Sequence, residues 1–200
     1  MAMRSIKAAA GLTALMVLAV PARSEPITFS SDTFQIIGGM SSEATPTRRG
    51  NYRGMETVDF KTELAPGTIL VRTRERKLYY VLPEGRAIQY GIGVGREGFT
   101  WSGTDKITRK AEWPDWRPPK EMIAREARRG NYIPVHMLGG PDNPLGARAL
   151  YIGTTMYRIH GTTQPWSIGM AVSSGCIRLL NEEVIDLFNR VDVGATVVVE

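Results

Sequence analysis

"TILVRTRERKLYYVLPEGRAIQYGIGVG", residues 68–95, carries three short apolar runs set apart by polar turns. "TILVRT" (68–73), "KLYYVL" (77–82) and "RAIQYGIGVG" (86–95) are strand-like, and the intervening "RER" and "PEG" suit hairpin turns. This stretch makes the domain mainly β. Further along, "ALYIGT" and "MYRIH" are strand candidates, and "ATVVVE" closes the chain as a buried strand. Two segments break the pattern. "PPKEMIAREARR" (118–129) reads as a helix, with Pro at its start, Met122, Ile123 and Ala127 near one face, and Arg128 and Arg129 at the end where the helix dipole favours cations. "NEEVIDLFNRV" (181–191) reads as a second helix. Asn181 is placed to cap it, Glu182 and Glu183 suit its positive end, and Val184, Ile185, Leu187 and Phe188 face inward. Residues 101–119 are rich in Trp and Pro, which pushes the residue before each Pro towards extended geometry.

Upstream of the strands the character changes. Arg4 and Lys7 precede an uncharged apolar run, "AAAGLTALMVLAV" (8–20), and small residues surround Ala22. Positive start, apolar middle and small-residue exit form the signature of a cleaved export leader. The run is shorter than the roughly 20 residues that span a bilayer. Residues 1–22 are therefore expected to be a signal peptide, 23–60 a loose polar N-terminal extension, and 61–200 the folded domain. The chain has a formal net charge of +5, scattered along its length. "RTRERK" (72–77) is the densest cluster and reads as a solvated hairpin end, because a nucleic-acid patch needs a basic face with interleaved aromatics. No nucleic-acid partner and no stable membrane insertion after leader removal are expected. A mildly positive surface favours an anionic substrate.

There is one cysteine, Cys176, in "SSGCIRL" (173–179). It cannot form an internal disulfide, and with only two histidines in the chain there is no set of four ligands for a structural zinc, so no metal is expected. An odd cysteine in an exported chain points to intermolecular pairing or to deliberate reactivity. A thiol attacks a carbonyl as its thiolate, which needs nearby positive charge or a base. Arg178 lies two residues on, so an extended segment would put it on the same face as Cys176. Gly175 permits a tight turn, and the amides of Gly175 and Cys176 are candidates for an oxyanion hole. Sixteen positions earlier, His160 ends "MYRIH", a separation that suits two adjacent strands joined by a loop. A Cys–His pair so assembled is the general activated-nucleophile arrangement. His136, in "IPVHML", has no nucleophile near it in sequence and reads as a hydrogen-bonded structural or surface imidazole.

Weaker motifs fall away. "GIGVGREG" (91–98) imitates a phosphate loop, but no helix opens after it and no Lys-Ser/Thr follows. Ser173 and Ser174 are not in a G-x-S-x-G elbow. Trp101, Trp113, Trp116 and Trp166 either line a groove or cover the sheet, and at least two are read as cover.

From "HGTTQPWSIGMAVSSGCIRLLNEEVIDLF" (160–188) the sequence resembles the L,D-transpeptidase family, the YkuD-type catalytic domain, over roughly residues 66–200. That family's signature is a His, a spacer of this length, Ser/Thr-His-Gly-Cys, an apolar residue, and Asn or Arg. It maps here onto His160, Ser173, Ser174, Gly175, Cys176, Ile177 and Arg178, with Ser174 standing where many members carry a second histidine. "FTWSGTDKITRKAEWPDWRPP" and "GGPDNPLGARALYIG" also resemble the exported proteobacterial branch.

The resemblance implies a β-sandwich or barrel-like domain whose enzymes cut peptidoglycan tetrapeptide stems after meso-diaminopimelate, release D-alanine and hold the acyl group on cysteine. An amine then takes it, giving a 3→3 cross-link or attachment of a D-amino acid or lipoprotein lysine. The implied partners are peptidoglycan stem peptides, with an outer-membrane lipoprotein or protein lysine as a candidate acceptor. The implied location is the periplasm, no cofactor is needed, and carbapenems acylate the cysteine. By resemblance Gly161 offers its carbonyl to the imidazole, while Arg178, Ser174 and Ser173 contact substrate. Two alternatives stay open on the residues alone: a cysteine peptidase or amidase that gives the acyl group to water, and a non-catalytic peptidoglycan-binding module.

Overall fold

In the computed structural model the described residues are 54–97 and 101–200. The signal peptide expected at 1–22 and the extension over 23–53 lie outside them.

The three apolar runs fold as the turns dictate. β2 (Ile69–Arg72), β3 (Lys77–Leu82) and β4 (Arg86–Gly91) form an antiparallel meander, with Ile69 opposite Tyr80 and Leu78 opposite Tyr90. The first turn closes where Arg76, at positive φ, returns its N–H to Thr73 O. β1 (Glu56–Asp59) lines the outer side of β4. This corrects the boundary expected at residue 60, because the last part of the extension is an edge strand. "ETVD" escapes sequence reading because only Val58 packs inward, against the cluster of Leu70, Tyr79 and Ala87, and one apolar residue cannot set a period of two.

The sheet then departs from a simple meander. β11 (Thr196–Val199), the C-terminal strand, inserts between β2, to which it is parallel, and β6 (Gly103–Glu112). β6 is the longest strand, yet only Ile107 is buried along it, so the Trp/Pro-rich region offers no alternation to read. β7 (Arg148–Ile152), β8 (Arg158–His160) and β10 (Ile177–Arg178) follow, giving nine strands in the order β1-β4-β3-β2-β11-β6-β7-β8-β10. Gly93, just past β4, bridges Arg178 of β10, so the sheet curls until the continuation of its second strand meets its last. That approach explains the glycine: a Cβ at residue 93 would stand 2.7 Å from Ser167 O. Beyond it, β5 (Val94–Gly95) pairs in parallel with β9 (Ala171–Ser173), so "GIGVG" is strand and turn. The result is a mainly β, curled half-barrel with two short helices, as expected.

The core fills the inside of the curl. Ile69, Leu78 and Tyr90 from the meander meet Leu150 and Ile159 from β7 and β8. α2 (Asn181–Arg190) covers this layer with Val184 and Leu187, both fully buried. Its expected cap is corrected. Leu180 occupies the cap position and Asn181 Oδ1 instead accepts the N–H of Ala147 at 3.0 Å. α1 is shorter than expected, Lys120–Ala127, because Pro119 is extended. Ala127 is exposed, and the residue α1 buries most is Glu126. Arg125 Nε, Arg129 Nη1 and Asn131 Nδ2 all reach that carboxylate within 3.2 Å, which offsets its desolvation. No helix among the described residues is long and apolar enough to cross a membrane.

Candidate active site

Two short parallel strands assemble the site. Ile159 of β8 faces Ile177 of β10, and His160 faces Arg178. Successive side chains on a strand alternate in direction. The isoleucines fill the core, while His160 and Arg178, and one step back Arg158 and Cys176, share the other side. Cys176 and His160, sixteen residues apart in sequence, are thus diagonal neighbours in one register. Arg178 is held on both edges: its N–H and C=O exchange bonds of 2.8 and 2.9 Å with Gly93, and the next amide, Leu179, donates to His160 O.

The loop before Cys176 is braced from within. Ser173 Oγ donates to Cys176 O at 2.7 Å and accepts the Gly175 N–H at 3.1 Å. Gly175 has φ 120°, a conformation that side chains rarely tolerate, so glycine is required between the two serines and the cysteine. Two readings of the sequence meet competing contacts here. Ser173, expected to contact substrate, is buried and its hydroxyl is engaged within its own loop. The Gly175 N–H is engaged by that hydroxyl, which leaves Cys176 N–H as the candidate oxyanion donor of this pair. Ser174 is half-buried at the rim, where its Oγ accepts from Arg125 Nη2 of α1 at 3.3 Å. Ser173→Ala strips a partner from both Gly175 N–H and Cys176 O. It is expected to lower unfolding free energy by about 1–3 kcal/mol, measured by urea titration, as when a buried hydrogen-bonding group loses its partner.

The electrostatics of the pair are unsymmetrical. His160 Nδ1 lies 2.6 Å from Gly161 O. A carbonyl only accepts, so the tautomer this contact favours carries its hydrogen on Nδ1 and keeps the lone pair on Nε2. The Gly161 carbonyl, the group expected to orient the ring, is thus within hydrogen-bond reach of it. Burial, with the charge of Arg178 next in weight, pulls the imidazole down to about 3, against the opposing pull of the Gly161 carbonyl. At neutral pH the ring is uncharged. Burial pushes the Cys176 thiol up, and the charge and hydrogen bonds of Arg158 are the main force against it, followed by Arg178. The resting pair is thus thiol and neutral imidazole. Sγ makes a 3.9 Å contact with Met156 O at the turn before β8. Arg178 is half-buried and donates through Nη1 to Gln164 Oε1 at 3.1 Å, so its free reach towards a ligand is limited.

The surroundings settle the lesser candidates. His136 pairs with Asp115 at 2.9 Å, as expected of a structural or surface imidazole. Trp116 is buried under α1, Trp113 is 45% exposed, and Trp101 stacks on Tyr157 with ring centroids 6.0 Å apart. Trp101 and Tyr157 also line a depression that reaches Gly175 and Ile177, beside the cysteine. Among the described residues no three His, Cys, Asp or Glu side chains are grouped to hold a metal ion. Sequence reasoning missed Arg158 at the site and read Asn181 as a helix cap. Arg158 had a usable signal, since it stands two residues before His160 and so on the same strand face.

Comparison with known proteins gives a consistent picture. The family model of the L,D-transpeptidase catalytic domain, YkuD, matches residues 66–199. The chain is 40% identical over 134 residues to "Probable L,D-transpeptidase ErfK/SrfK" of Escherichia coli, covering 64% of this chain and 42% of that protein. It is 42% identical over 135 residues to "Probable L,D-transpeptidase YbiS" of the same organism, covering 64% of this chain and 43% of the relative. The chain thus matches less than half the length of these two relatives. An L,D-transpeptidase of Enterococcus faecium superposes with a TM-score of 0.52 at 18% identity, over 68% of this chain and 50% of that one, a likeness of fold.

Proposed function

Since the chain belongs to the L,D-transpeptidase catalytic-domain family, we propose that it is a peptidoglycan L,D-transpeptidase working through a Cys176 acyl-enzyme. The observation that supports this reading is the parallel register of β8 and β10, which pairs His160, a buried and neutral imidazole, with Arg178, two residues beyond the chain's one thiol. His160 Nε2 takes the thiol proton as sulfur attacks the carbonyl at the L-centre of meso-diaminopimelate. The tetrahedral oxygen is met by Cys176 N–H. When the C–N bond breaks, the imidazolium returns its proton to the departing D-alanine, and the acyl group stays on sulfur. An incoming amine repeats the sequence in reverse, with His160 as base and then acid. Arg178 acts through its charge on the sulfur, and Ser174 sits at the rim where a stem peptide enters.

The signal-like residues 1–22, the polar extension and a folded domain that begins at β1 fit an exported enzyme of the periplasm, and the net positive charge suits an anionic wall polymer. The acceptor amine is the side chain of a second diaminopimelate, a D-amino acid or a lipoprotein lysine.

Incubation with purified disaccharide-tetrapeptide, followed by chromatography and mass spectrometry, tests the proposal. Release of D-alanine with new 3→3 dimers is expected. Release with tripeptide monomers alone would make the protein a peptidase, and no release with retained binding would make it a binding module.

A further inference from the structure

Arg158 has no place in the mechanism so far, yet its position is unusual. The register that opposes Ile159 to Ile177 and His160 to Arg178 brings Arg158 opposite Cys176. Strand alternation turns its side chain the same way as the imidazole. The four side chains form a square, with Arg158 and His160 on one strand and Cys176 and Arg178 on the other. Its base is built: Tyr151, the antiparallel partner of Arg158 on β7, lies under the guanidinium with 5.3 Å between the guanidinium carbon and the ring centroid.

The missing part is an anion. Elsewhere in the fold arginines pair with carboxylates, as Arg148 does with Glu112 at 3.1 Å and Arg190 with Asp186 at 2.8 Å. Among the described residues the two arginines that flank the sulfur, Arg158 and Arg178, are in no such ion pair, and the Nε of each is buried with no acceptor; Arg178 at least donates to Gln164 Oε1. A partly desolvated cation without a counter-charge is unfavourable unless an anion forms beside it. The group opposite Arg158 that acquires negative charge during acyl transfer is Cys176 Sγ.

We propose that Arg158 is a further catalytic residue of this site, its guanidinium bonding and stabilising the Cys176 thiolate as the S–H proton passes to His160. The S–H bond breaks, the Nε2–H bond forms, and Arg158 exchanges no proton. The charged and titratable groups around the sulfur are then Arg158 and His160 from β8 and Arg178 from β10. Of the influences that oppose burial and favour the thiolate, Arg158 is the largest. It uses both charge and hydrogen bonds, where Arg178 contributes charge alone. The inference rests on Cys176 being the nucleophile.

The test is the pH dependence of iodoacetamide alkylation, followed by intact mass on the full chain, with Cys176→Ala as the blank. Arg158→Met is expected to move the alkylation curve up by about one pH unit, so that the rate at neutral pH falls about tenfold. Arg158→Lys should restore most of the rate, because it keeps the charge. If the Met variant fails to melt cooperatively, Arg158→Gln carries the same expectation. A folded Met or Gln variant alkylated along the wild-type curve would overturn the proposal. Because the readout is alkylation and not turnover, a wild-type protein inert towards tetrapeptides would count against the function, while the two alkylation curves would still decide the role of Arg158.

Discussion

Cys176→Ala is expected to give a folded protein that forms no covalent adduct. The wild-type chain treated with meropenem should gain the mass of one drug molecule, and the variant none. The sequence contains a single cysteine, so no second thiol can take over. The fold should survive for a local reason. What Cys176 gives to its loop is a backbone carbonyl, which accepts from Ser173 Oγ, and alanine keeps it. The side chain is half-buried; besides a 3.9 Å contact to Met156 O it meets the hydrogen-bonding groups of Arg158, which favour the thiolate more than the resting thiol, so the loss in stability should stay within about 1 kcal/mol. Release of D-alanine should vanish with the adduct, since no acyl carrier remains. Retained turnover in the variant would falsify the mechanism outright, whereas a variant that melted many degrees lower would show that the loop depends on the thiol for packing.

Much of this arrangement was open to sequence reading, for reasons of range. The β2–β3–β4 meander and β11 are written in short continuous apolar runs, because apolar clusters cover both faces of the sheet there, and the inward face of α2 is written in helical periodicity. That His160 and the segment after Cys176 would lie on adjacent strands was legible from a strand end, a long loop and a glycine-flanked thiol. What stayed hidden depends on neighbours distant in the chain. β1 and β6 are nearly all polar, held by pairing more than by burial, so no pattern announced them. Ser173 beside Ser174 looked like a substrate contact, and only the turn at Gly175 folds its hydroxyl back onto Cys176 O. Asn181 begins a helix and so resembled a cap, but Ala147, 34 residues away, takes its Oδ1. Glu126 shows the same limit, because a carboxylate on a helix face is read as solvent-exposed until three donors close around it.

His160→Gln carries the second large effect, in two measurements. Loss of the base and acid should slow D-alanine release by about 10²–10⁴-fold, the usual worth of general acid–base help. The same substitution should change how stability responds to acid. An unfolded histidine protonates near 6.5, whereas the folded ring holds out to about 3. Between those values the unfolded chain binds more protons, so wild-type stability rises with pH through this window and is lost on acidification from about 6.5 towards 3. A glutamine side chain has nothing to titrate, so the melting temperature of the variant should fall less over that range, measured in matched buffers. The two effects share a cause. Arg178 and Arg158 both discourage a charged imidazole while encouraging a charged sulfur, so their field works for one half of the proton transfer and against the other. A free thiolate–imidazolium pair is therefore a poor resting state here, and the proton leaves sulfur as the carbonyl is attacked. Activity in the wild type should accordingly persist from neutral pH down to about 5 without the loss near 6.5 that an ordinary imidazole would impose. A steep fall centred on that value would show the ring to be far more basic than its burial allows.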